Sequence, residues 1–187
     1  MGLIKLNKYH RNQARRETWG DPILRQGRRI SPDDLFEHAS SEMKRRNICI
    51  VERRKKNVKL ISLANQLKVP KGWHDKDVAF RASDLMHELV HYRQRSTFGK
   101  RWWEFRYVAS AQFVIAMEIP AYFESLASYY AMGAKDEFIE EYIRDIPVFL
   151  HGYYTSGALH WKSTKRFILK EIRNRYEELK ALDLKPA

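Results

Sequence analysis

The pentapeptide His87-Glu88-Leu89-Val90-His91 restricts the fold more than any other feature of the chain. Residues four apart lie on the same face of an α-helix, so a helix here would bring both imidazoles to one metal ion. Glu88 lies about 100° round the helix from His87, where its carboxylate can reach water on that metal without binding the metal. This HExxH pattern is typical of zinc-dependent hydrolysis, in which the glutamate accepts a proton as water attacks a carbonyl. The sequence therefore predicts His87 and His91 as metal ligands and Glu88 as general base.

The residues around the motif favour a helix that packs against a core. Pro70-Lys71-Gly72 interrupts the chain, and a helix is predicted from about residue 77 to residue 97. The side of this helix away from the histidines is apolar, with Leu85, Met86, Leu89 and Val90.

Two histidines leave a catalytic zinc site one protein ligand short, because such sites use three protein ligands and a water. The residue types further along the chain leave several donors open: Glu104, Glu118, Glu124, His151 and His160.

The segment 87–125 resembles the gluzincin-type zincin metallopeptidases, in which a glutamate on a second helix completes the zinc site. Short members of that family commonly read His-Glu-Leu-x-His, then an aromatic stretch, then Glu-x-x-Ala-Tyr. This chain has Glu118-Ile119-Pro120-Ala121-Tyr122 in that place. The resemblance implies a Zn²⁺ ion held by His87, His91 and Glu118, with Glu88 as general base and Glu124 as the next candidate for third ligand.

Two further residues are candidates by type for stabilising an oxyanion or binding substrate, namely Tyr122 and His151. His151-Gly152 also invites comparison with DNA-dependent zincin proteases, whose site is completed by a His-Gly soon after the first histidine pair. In this chain His151 lies 60 residues beyond His91, which is much farther than in that family. Pro120 predicts a kink or a helix start close to Glu118, because proline lacks an N–H and disfavours helix at the preceding residue.

The remaining patterns predict an α+β fold, with a small N-terminal β-hairpin or sheet followed by a mainly helical C-terminal part. Ser31-Pro32-Asp33-Asp34 is a helix start, and its helix should end near Arg46. Residues 48–52 and 58–63 predict the two strands of a hairpin around a basic turn. Apolar and amphipathic helices are predicted at about 109–132 and 163–182. We expect a zincin-like domain over residues 31–187, preceded by a basic arm over residues 1–30.

The charge of the chain suggests a second class of function. The 187 residues carry 35 Lys and Arg against 23 Asp and Glu, a net charge of +12. Residues 1–30 and the hairpin tip 53–56 concentrate this surplus and predict contact with an anionic partner or an assembly neighbour. One hypothesis is thus a zinc metallopeptidase acting on a peptide or protein substrate. The alternative is a structural component of a nucleic-acid-containing assembly, such as a phage particle, that keeps a zincin fold.

Other classes are excluded by what the sequence lacks. It has no run of about 18 uncharged apolar residues, and its first residues lack the apolar core of a signal peptide. We therefore expect no membrane span and a location in the cytoplasm or within a particle. Cys49 is the only cysteine, which excludes an internal disulfide and a structural zinc site built from several thiolates.

Overall fold

The structure is a computed structural model, and it describes residues 21, 23–24, 28–53, 60–61, 65–154 and 161–181. Most of the predicted basic arm 1–30 lies outside the described residues. So do the hairpin-tip residues 54–56 and His160. The predictions that fall on those parts of the chain remain predictions.

The described residues form six helices and one three-stranded sheet, so the α+β class is confirmed. The strands precede most of the helices. The elements are α1 (Pro32–Arg45), β1 (Cys49–Arg53), β2 (Leu60–Ile61), β3 (Gln66–Pro70), α2 (Val78–Phe98), α3 (Lys100–Ala109), α4 (Ala111–Ala131), α5 (Asp136–Tyr154) and α6 (Trp161–Lys180).

Short polar side chains cap the helices that build the site. The Ser31 hydroxyl accepts a hydrogen bond from the backbone N–H of Asp34 at 3.1 Å, which confirms the predicted start of α1. Asp77 caps α2 in the same way, and Ser110 caps α4. Between α2 and α3 the chain turns at Gly99, whose φ of 82° suits a residue without a Cβ. The predicted motif helix is therefore confirmed, and α3 follows it almost at once.

The sheet has the order β1-β3-β2. β1 pairs with β3 in parallel, and β2 pairs with β3 antiparallel. The predicted hairpin between β1 and β2 is therefore wrong, because β3 lies between these two strands. β3 alternates along its length and buries Leu67 and Val69 almost completely, which favours the central place in the sheet.

α4 forms the centre of the helical part. It packs against α2, α3, α5 and α6, and its side chains are buried on nearly every side. Its core-forming residues include Phe113, Ile115, Met117, Ile119, Phe123 and Leu126. Two acidic side chains, Glu118 and Glu124, are carried into this core by the helix, so each needs a cationic or polar partner there. No helix within the described ranges is long and apolar enough to cross a membrane.

Candidate metal centre

Three side chains meet between α2 and α4. His87 Nε2 lies 3.3 Å from one carboxylate oxygen of Glu118, and His91 Nε2 lies 3.4 Å from the other. The two Nε2 atoms are 3.1 Å apart. Within the described part of the chain, these residues form the one group of three or more histidine, cysteine or acidic side chains whose ligand atoms converge, within 4.8 Å of one another. This group could hold a metal ion.

The donor types of the group are ones that zinc binds. Two imidazoles and one carboxylate are a donor set that catalytic zinc sites use. The short distances of 3.1, 3.3 and 3.4 Å join four atoms, because each histidine Nε2 approaches a different oxygen of the Glu118 carboxylate. The single ligand atoms that the three residues can offer to one ion lie within 4.8 Å of one another.

Glu118 lies in the middle of α4. We expected Pro120 to place Glu118 at a kink or at the start of a helix. The predicted helix start is wrong, because α4 begins at Ala111 and continues to Ala131. Proline has the φ of a helix, but it removes one hydrogen-bond donor and its ring crowds the carbonyl four residues back. The close packing of α4 on four other helices holds the helix together across that position. Glu118 is therefore presented from a continuous helix whose own packing fixes its place.

Gln94 orients His91. Its side-chain amide donates to the carbonyl oxygen of Met117 at 2.8 Å, so its carbonyl oxygen is the atom that faces His91 Nδ1, at 3.0 Å. Nδ1 must then carry a hydrogen, and the lone pair of the neutral ring lies on Nε2, the nitrogen that faces Glu118. This is the arrangement that a metal-binding histidine needs. Sequence analysis missed Gln94, although it lies one helical turn beyond His91.

Opposite charges interact strongly within the group. Burial alone would raise the pKa of Glu118, but the two histidines hold this pKa well below its usual range. Burial alone would lower the pKa of His91; the charge and hydrogen bond of Glu118, with smaller contributions from Glu88 and Gln94, instead raise it from 6.5 to about 9. At neutral pH the metal-free group is thus an ion pair, and a metal ion binding at His91 must displace a proton.

Tyr107 is a further residue of the site that sequence analysis missed. Its hydroxyl donates a hydrogen bond to Glu118. Its ring stacks on Trp103 at 4.3 Å and meets the ring of His91 edge-on at 6.0 Å. Trp103 is buried, so it is a packing residue that supports the site.

Tyr122 flanks the group on the other side. Its ring meets that of His87 edge-on at 4.8 Å and stacks on Phe149 of α5 at 6.1 Å. The hydroxyl of Ser125 lies 3.5 Å from His87 Nδ1 and can accept its hydrogen. The structure thus brings the predicted candidate Tyr122 to the site. His151 lies exposed on α5, outside the converging group.

Glu88 is buried on α2 beside the ligands. Its charge contributes to the raised pKa of His91, so its carboxylate lies within electrostatic reach of that ring. Glu88 is therefore a buried carboxylate close to the group that could hold a metal ion.

The other candidate ligands have different partners. Glu104 pairs with Arg95 at 2.6 Å. Glu124 accepts hydrogen bonds from the backbone N–H of Asp21 at 2.6 Å and from Arg93 at 3.3 Å. Neither carboxylate belongs to the converging group. Of the candidate third ligands that the structure describes, Glu118 is the one that the fold brings to the two histidines.

Comparisons with models of known protein families, with curated proteins and with solved structures find no match to this chain. The resemblance to the gluzincins therefore rests on the motif residues of the sequence and stays a prediction.

Proposed function

We propose that the chain is a zinc-dependent metallopeptidase-like hydrolase, with zinc held by His87, His91 and Glu118 on a zincin-like fold of the gluzincin type. One observation carries the proposal. Ligand atoms of His87, His91 and Glu118 converge from two helices to within 4.8 Å of one another, and one of these helices carries the HExxH motif. Two imidazoles and one carboxylate are a donor set that catalytic zinc sites use.

Bound zinc would supply a Lewis acid that polarises a carbonyl and makes water acidic enough to react near neutral pH. Glu88 would accept the proton of the attacking water and pass it to the leaving amine nitrogen. Tyr122, beside His87, carries a hydroxyl that could donate to the developing oxyanion. Gln94 and Tyr107 would hold His91 and Glu118 in place.

The sheet offers a place for an extended peptide. Among the residues that the structure describes, β2 is an edge strand, and it contacts α2, the helix that carries the motif. Edge strands bind extended peptides through backbone hydrogen bonds, which require no particular side chains. This supports a peptide or protein as the substrate class.

The test is to measure zinc and proteolysis together in the purified full chain. We expect one zinc per chain and hydrolysis of an unfolded protein substrate such as casein. Glu88→Gln should keep the zinc and lose activity at least about a hundredfold, since general base catalysis contributes that much. Glu37→Gln is the matched control, because Glu37 is exposed on α1, and it should change neither quantity.

The two measurements separate the possible failures. A wild-type protein that takes up no zinc at neutral pH would refute the metal site itself. Zinc bound equally by wild type and Glu88→Gln, with proteolysis by neither, would refute the peptidase and leave a structural metal. The alternative role in a nucleic-acid-containing assembly remains a prediction from the net charge and the basic arm.

A further inference from the structure

The outer face of α3 is apolar and exposed. Trp102, Phe105 and Val108 recur every third residue along this ten-residue helix and are 43%, 68% and 91% exposed. Apolar residues at this spacing lie along one side of a helix. Single exposed apolar side chains are common on protein surfaces, but a row of three on one short helix forms a patch, and such patches mark interaction surfaces.

The inner face of the same helix is already occupied. Trp103 and Tyr107 pack against His91, with ring centres 5.9 and 6.0 Å from the imidazole. Glu104 on this helix pairs with Arg95 of α2 at 2.6 Å. Because these contacts fix the rotation of α3, the helix cannot turn its apolar side inward, and the patch is a permanent part of the surface.

Cations accompany the patch. α3 carries Arg101 and Arg106 on or beside the apolar row, and its single acid Glu104 is neutralised by Arg95. Lys100 lies on the other side of the helix, where its ammonium group contacts Asn65 at 3.4 Å. Arg106 lies over the ring of Trp102 at 5.4 Å, and Arg101 is exposed. The helix therefore presents apolar and positively charged groups together, within a chain of net charge +12.

We infer that the outer face of α3 binds an anionic lipid surface. Trp102, Phe105 and Val108 enter the boundary between headgroups and acyl chains, and the exposed Arg101 contacts the lipid phosphates. An amphipathic helix with aromatic and aliphatic residues on one side and cations beside them binds membranes in this way, lying in the plane of the surface.

The observations favour lipid over the other anionic partners and over a second copy of the chain. A nucleic acid would gain stacking from Trp102 and Phe105 but little from Val108, which is the most exposed of the three. A second copy would bring like charges together across the interface. A lipid surface accommodates all three apolar side chains together with the exposed Arg101. This inference is independent of the proposed hydrolase activity.

The inference is tested by sedimentation of the full chain with vesicles of phosphatidylglycerol and phosphatidylcholine in equal parts. We expect binding that partly survives about 0.5 M salt, where exposed charges are screened. The double variant Phe105→Ser/Val108→Ser should bind at least about tenfold more weakly, because burial of a single such side chain accounts for more than that factor. Val148→Ser, an exposed site on α5, is the matched control and should bind like wild type.

Three results would overturn the inference. One is equal binding by wild type and the double variant, which would mean that cations elsewhere in the chain account for the attraction. Another is the absence of wild-type binding. The third is a wild-type dimer that the double variant abolishes, seen by sedimentation velocity without vesicles. The thermal unfolding of each variant is measured alongside, and unchanged unfolding shows that both substitutions act at the surface.

Discussion

Replacing Gln94 with leucine tests whether the Gln94 side chain holds the candidate metal ligand His91 in its orientation. Leucine has nearly the volume of glutamine but neither accepts a hydrogen bond from His91 Nδ1 nor donates one to the Met117 carbonyl. The imidazole then loses the contact that fixes its tautomer and orientation. The metal should bind more weakly although every ligand is still present.

The size of the effect follows from these contacts. Loss of a partner that orients a metal-binding histidine typically weakens metal affinity about 10- to 100-fold, which is about 1.4 to 2.7 kcal/mol. The buried N–H of His91 and the carbonyl of Met117 also lose a partner, which should lower the free energy of unfolding by about 1 to 3 kcal/mol. The variant should remain folded, because domains of this size are usually stable by about 5 to 15 kcal/mol.

The assay is competition for zinc with a chromophoric chelator, together with urea unfolding of the metal-free protein. Gln94→Glu is the informative companion, because its carboxylate still accepts from His91 while it loses the donor to Met117. It should hold zinc more tightly than the leucine variant. If Gln94→Leu is folded and binds zinc as tightly as wild type, Gln94 neither orients His91 nor fixes the tautomer of its ring.

Further predictions concern neighbouring contacts. The pKa of His91 is raised from 6.5 to about 9, so in the metal-free protein its proton stabilises the fold fully below about pH 6.5, and this contribution is lost as the pH rises towards 9. Urea unfolding should show that decline in wild type and a smaller one in His91→Gln; equal pH profiles would contradict it. Tyr107→Phe removes the hydroxyl bound to Glu118 and should weaken zinc binding about tenfold, as read by chelator competition; unchanged affinity would exclude a supporting role. Arg93→Leu leaves the fully buried carboxylate of Glu124 without its cation and should lower the free energy of unfolding by about 1.5 to 3 kcal/mol, measured in urea, whereas a loss within error would show that the backbone N–H bound there is sufficient.

Local patterns predicted four of the six described helices, α1, α2, α4 and α6, but they did not predict α3, α5 or the strand β3. The serine cap at Ser31 and the period of apolar residues around the motif gave α1 and α2 to within a residue or two. The sheet was predicted incorrectly because strand pairing is a property of distant residues. The alternation of Leu67 and Val69 in β3 was present in the sequence, but nothing local shows that β3 separates β1 from β2.

Local patterns also predicted only some of the residues of the candidate site. Helical spacing alone places His87 beside His91. The meeting of these residues with Glu118 depends on how α2 packs on α4, and the motif resemblance anticipated it where spacing could not. Gln94 could have been found from its position one turn beyond His91 on the same helix. Tyr107 could not, because it reaches Glu118 from a separate helix whose orientation no local pattern specifies.

The contact between Asp21 and Glu124 also sets an order of events during synthesis. The backbone N–H of Asp21 reaches a carboxylate 103 residues later in the chain. At a synthesis rate of about 5 to 20 residues per second, Asp21 is added to the chain about 5 to 20 s before Glu124. Arg93, which contacts both side chains, is also made before Glu124. Asp21 can therefore take its native position only after α4 has been made, although it is one of the first described residues to be synthesised.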